Sequence, residues 1–209
     1  MNLGLIIVLI VILGYISNWL NWRYLNYKIT HVLYYIGAFV HESSHALFCL
    51  VTGAKIYEFK VFSSQPHVTH GKPKLPFIGN LLISSAPIFG GLFFLFFINH
   101  YVLGNYFALV TSSGYVNILS DSLKLITQIR LSTWQSWVMI ILFLNAGAMI
   151  GPSARDIKNV WPILILLFFV QSYFLVNLGL IAMSIIFVNI VIQIVLILCL
   201  TIFTAIKNY

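Results

Sequence analysis

The sequence predicts an all-α integral membrane protein of about six transmembrane helices, with a short β-hairpin-like loop after the second. Three observations carry that prediction. Of the 209 residues, 61% are hydrophobic and only 7% are charged, and the mean hydropathy is +1.00, a balance that no water-soluble surface sustains. The apolar residues fall into runs close to the ~20 that a helix needs to cross the hydrocarbon core. The connections between runs leave no room for a soluble domain, so residues 1–209 are expected to form a single polytopic unit.

The expected spans are residues 3–20, 30–52, 77–98, 134–152, 160–177 and 179–205. No basic residue precedes the first and no small-residue cleavage site follows it, so it reads as a retained anchor. After the second comes Gly53-Ala-Lys-Ile-Tyr-Glu-Phe-Lys-Val-Phe62, rich in aromatic and β-branched residues and broken by Ser63-Ser64-Gln65-Pro66 and Gly71-Lys72-Pro73. That pattern predicts a hairpin at the inner membrane surface. Between the third and fourth spans, residues 118–131 repeat apolar side chains every three or four positions, as suits a helix on the outer face. A seventh, polar span within residues 104–131 is the alternative, and it would invert everything downstream.

The net charge of +7 is spread over short loops without a basic stripe, which argues against a nucleic-acid partner and for a role in orientation. With a cytoplasmic N-terminus, Lys55, Lys60, Lys72, Lys74, Arg155, Lys158 and Lys207 fall inside, against Arg23, Lys28, Lys124 and Arg130 outside. Cys49 and Cys199 both lie in apolar runs and imply no disulfide framework.

Within the second span stands His41-Glu42-Ser43-Ser44-His45, an HExxH motif. Histidines at i and i+4 share one helix face, so both imidazoles can reach one Zn²⁺, and the glutamate between them can act on a water. A catalytic zinc usually takes a third protein ligand. Phe48 and Val51 occupy the positions where an extended motif would carry Gly and a third His. The remaining candidates are Glu58, His67, His70, His100, Asp121 and Asp156. The expected topology sends His100 and Asp121 to the outer face, whereas the fourth span delivers Asp156 to the leaflet of His45. A carboxylate beside hydrocarbon needs pairing or coordination. Asp156 has a second reading as the partner of an N-cap Ser153, or as an ion pair with Arg155 or Lys158, and one carboxylate is not expected to serve as both cap and ligand. For Cys49, one turn beyond His45, packing is the simpler role.

These residues resemble the site-2 protease family of intramembrane zinc metalloproteases, over residues 30–160 in order and general character. The resemblance implies that His41, His45 and Asp156 bind one Zn²⁺ per chain and that Glu42 is the catalytic base. Ser85-Ala86-Pro87-Ile88-Phe89-Gly90 resembles the family's Gly-Pro-x-x-Asn segment with Pro87 kept. Ala86 and Gly90 replace its Gly and Asn, leaving Asn80 or Asn145 to supply the substrate-holding amide. The implied activity is hydrolysis of a membrane-embedded protein or peptide by metal-activated water near the cytoplasmic face of a prokaryotic cell membrane. The substrate would unwind and pair as a strand with the hairpin edge at Lys55–Phe62, or that loop would instead lie on lipid headgroups through its lysines. Pro87 is expected either to open its helix to water or only to kink it. The competing function is non-catalytic: a metal-ion permease, or a former protease that binds a partner.

Overall fold

The computed structural model describes residues 2–25, 27–63, 65–109, 117–153, 155–158, 169 and 172–207. Asn2 caps the first helix, α1 (Leu3–Tyr24), by accepting the Leu5 amide at 3.1 Å. The motif helix α2 (Tyr27–Thr52) stops at Gly53, which adopts φ +69°. There the Ala54 amide reaches the Cys49 carbonyl at 2.8 Å and the Gly53 amide reaches that of Leu50 at 3.2 Å, a closure that needs the left-handed backbone glycine tolerates.

The expected hairpin follows. Strands β1 (Ile56–Lys60) and β2 (His67–His70) pair antiparallel, with Phe59 opposite Val68 and a bulge between Ile56 and Glu58. Gly71 N bonds Lys55 O at 2.8 Å and Lys74 N bonds Thr52 O at 3.1 Å, which ties the sheet to the end of α2. Helix α3 (Pro76–Phe97) opens on a proline, whose missing amide is no loss in a first turn. It runs through Pro87 and ends in a π-helical turn, Ile98–Val102.

The amphipathic stretch forms α4 (Ile118–Thr127), capped by Asn117. Its 10 residues span about 15 Å, too short to cross a bilayer, so the described part of residues 104–131 contains no seventh span. Ser122 Oγ fastens it to the Ser184 carbonyl at 3.2 Å. Helix α5 (Trp134–Ile150) occupies the centre and touches α1, α2, α3 and the last helix, α6 (Tyr173–Lys207). Met139, Phe143, Ala146, Met149 and Ile150 on α5 are fully buried.

Among the described residues, four helices are long and apolar enough to cross a membrane: Leu3–Tyr24, Pro76–Val102, Trp134–Lys158 and Tyr173–Ile206. Helix α2 has the length, 26 residues, but His41, Glu42 and His45 lower its apolarity. The expected division between spans 160–177 and 179–205 is corrected: residues 173–207 are one continuous helix. Gly179 does not break it, because the missing side chain makes room for Ile6 of α1. Most of residues 160–172 lie outside the described residues. Helices α1 and α6 are also joined by polar side chains, Ser17 Oγ donating to Asn189 Oδ1 at 2.5 Å and Gln193 Nε2 to Asn21 Oδ1 at 2.9 Å. Such bonds hold helices together where lipid removes the hydrophobic drive for their association.

Candidate metal centre

Two close approaches bring the motif face of α2 against its neighbours. A Cβ on Gly90 of α3 would collide with Ser44 Oγ, and one on Gly37 of α2 would stand 2.8 Å from Ala148 Cβ of α5. Glycine at both positions therefore lets three backbones converge around His41 and His45. Asn145 of α5 strengthens the junction: its Oδ1 accepts the Gly37 amide at 3.1 Å and its Nδ2 donates to the Ile141 carbonyl at 2.8 Å. Both ends of that amide are occupied, which corrects the expectation that Asn145 is free to hold substrate. Any larger residue at position 90, Asn included, would meet Ser44 in the same way.

His41 and His45 are each 7% exposed and Asp156 is 5% exposed. His41 Nδ1 lies 3.1 Å from the Ala148 carbonyl, and His45 Nδ1 lies 2.7 Å from that of Ile83. A carbonyl only accepts, so each Nδ1 carries the proton and each Nε2 of a neutral ring presents a lone pair. The two Nε2 atoms stand 3.1 Å apart. Asp156 Oδ2 is 3.6 Å from the first and Oδ1 is 3.3 Å from the second. Ligands about 2.0–2.1 Å from one tetrahedral centre stand about 3.3 Å from each other. The three side chains thus have the chemistry, the spacing and the burial to hold one metal ion.

The capping reading of Asp156 holds. Its Oδ2 accepts the Ser153 amide at 2.7 Å, and its own amide reaches Ser153 Oγ at 3.2 Å. This is a reciprocal cap, yet the same carboxylate faces both imidazoles. The cap uses one lone pair of Oδ2, and the imidazoles face the rest of the group. No ion pair joins Asp156 to Arg155 or Lys158.

A cavity of about 540 Å³ opens on this cluster, bordered by Glu42, His45, Ser84, Arg155 and Asp156 from the helical side. Glu42 is half-buried and makes no hydrogen bond or ion pair among the described residues. Ser84 is 2% exposed and its hydroxyl has no partner among the described residues. From the hairpin side, Val68 and His70 of β2 wall the cavity, with Gln65 and Pro66 of the connecting loop. No β1 residue borders it, so the strand beside the site is β2 rather than the expected Lys55–Phe62 edge.

The other candidate ligands lie outside the cluster of three. Glu58 pairs with Lys60 and His67, which together hold its carboxyl below the usual range. The Gln65 carbonyl and Glu58 push the His67 imidazole up. His70 lines the cavity but turns Nδ1 to the Gly71 carbonyl at 2.8 Å. His100 bonds Asn105, and Asp121 serves the α4 cap and Lys124. Cys49 packs with Ala54 and Ile83, as expected, whereas Cys199 is exposed on α6. Sequence reasoning missed Ser84 and the two carbonyls: nothing marks a serine hydroxyl as free, and a helix proline marks an unpaired carbonyl four residues before it without showing what fills it. No family model, curated protein or solved structure matches this chain.

Proposed function

We propose that this chain is an intramembrane zinc metalloendopeptidase resembling the site-2 proteases, acting on a membrane-embedded protein or peptide near the cytoplasmic face. The observation that carries the reading is the convergence of two Nε2 atoms and a carboxylate, which are acceptors alone when both rings are neutral. Acceptors facing one another away from water are unfavourable unless a cation or a proton lies between them. His41, His45 and Asp156 would hold the cation. Zn²⁺ bound there supplies a Lewis acid that lowers the pKa of a water toward ~7 and polarises a carbonyl.

The remaining chemistry belongs to the chain. Glu42 accepts a proton from the attacking water as the new C–O bond forms, then gives it to the departing amine as the C–N bond breaks. Its freedom from any ion pair among the described residues supports that role. Ser84 offers a hydroxyl to the carbonyl oxygen as charge develops there. A substrate helix must first unwind, and the free edge of β2 gives its exposed amides and carbonyls a strand to pair with. Zinc retained with cleavage abolished in Glu42→Gln is the expected result in purified protein carrying a transmembrane peptide substrate. Metal flux into vesicles that survives Glu42→Gln would instead mark a permease. Zinc-free wild-type protein with a proton shared among the three side chains would leave a partner-binding relict.

A further inference from the structure

We propose that Pro87 is a positioning residue of this centre: lacking an amide hydrogen, it leaves free the carbonyl that fixes the tautomer and direction of the His45 ring. The inference rests on the metal-binding reading given above. In an α-helix the amide of residue i closes on the carbonyl of residue i−4. An amide at 87 would therefore occupy the Ile83 carbonyl. That oxygen receives His45 Nδ1 at 2.7 Å.

Pro87 stands inside α3, where proline is strongly disfavoured, so its place there calls for a reason. The Ala148 carbonyl, which receives His41 Nδ1 at 3.1 Å, is open on a different ground. The ladder of α5 ends with the Gly151 amide on the Gly147 carbonyl at 3.0 Å, and the extended backbone of Gly151, at ψ 124°, turns the next peptide out of the helix. The amide of Ser153 is turned to Asp156 Oδ2 at 2.7 Å, so it does not compete for Ala148. Outer-shell partners of this kind hold the protonated nitrogen away from the metal and raise the basicity of the other.

Metal-free protein labelled with ¹⁵N-histidine, held at alkaline pH where both rings are neutral, tests the idea without any appeal to activity. Pro87→Ala supplies an amide to Ile83 and is expected to turn His45 from the Nδ1–H form into a tautomer mixture while His41 is unchanged. General damage to the fold would move both rings, so a change confined to His45 is specific. Pro87→Ala should also bind Co²⁺, followed by its visible absorption, about 10- to 100-fold more weakly than wild type. Replacing residue 87 by lactate, the α-hydroxy acid with alanine's side chain and no amide hydrogen, should restore both tautomer and affinity. An unchanged His45 tautomer in Pro87→Ala, or a lactate protein as impaired as Pro87→Ala, would overturn the proposal. Wild-type protein that binds no Co²⁺ would defeat the metal reading alone, since the His45 tautomer still decides the part played by Pro87.

Discussion

Asp156→Asn separates the two jobs of one carboxylate. The amide oxygen of Asn can still accept from Ser153 N, now bonded at 2.7 Å, so the cap survives. What disappears is the negative charge 3.6 and 3.3 Å from the two Nε2 atoms. The Asn Nδ2 can moreover donate to an imidazole lone pair, which relieves the metal-free cluster of its excess of acceptors. Metal at a hundred times its Kd stabilises a folded chain by about 2.7 kcal/mol. For a chain of this size that corresponds to roughly 5–10 °C in Tm. The five tryptophans provide the signal for thermal unfolding in detergent. Wild type should gain that shift with Zn²⁺. The Asn variant should lose most of it while its metal-free Tm stays equal or rises. Asp156→Ala should lose the shift and, with the cap gone, about 1 kcal/mol more. An Asn variant with the full Zn²⁺-induced shift would refute the assignment of Asp156 as a ligand.

Three further outcomes follow from other parts of the structure. Glu42→Gln should keep the metal-induced shift and lose about 10²- to 10⁴-fold in cleavage rate, read on a transmembrane peptide; undiminished turnover would remove Glu42 from the mechanism. Gly90→Ala should destabilise by about 1–3 kcal/mol, since its Cβ meets Ser44 Oγ, and Ser44→Ala in the same chain should recover part of the loss; additive effects in the double variant would contradict the contact. On the exposed hairpin, His67 is raised by the Gln65 carbonyl and by Glu58. The contact therefore stabilises fully below the ordinary histidine range and is lost as pH rises through the folded value. Glu58, held low by Lys60 and His67, loses its share as pH falls through its own depressed value. An NMR titration should show the His67 pKa fall in Glu58→Gln while staying above its ordinary value, and no change would break the pairing.

The parts of the site legible in the sequence were those set by short-range geometry. Histidines four apart on a helix share a face in any environment, and Gly53 and the Pro- and Gly-bearing breaks bound a strand pair whatever lies around it. Asp156 was reachable through the expected order of spans, because the direction assigned to the helix before it decides which end of the motif helix it meets. Tertiary contacts were not reachable. Gly179 looks like a punctuation mark until Ile6 of a distant helix is seen packed into it. Asn145 looks like a free amide until the Gly37 amide is found on its oxygen. Pro87 was visible, yet the carbonyl four residues before it mattered only because an imidazole from another helix points there. Even the cap and ligand readings of Asp156, each derivable from sequence, looked exclusive until the direction of each lone pair was known.

The most direct test of the central claim is elemental analysis of the purified chain, wild type beside Asp156→Ala and His45→Ala. One zinc per wild-type chain, and near none in either variant, is the result expected if two imidazoles and this carboxylate share one cation. Wild-type protein without metal, or either variant with a full equivalent, would contradict it.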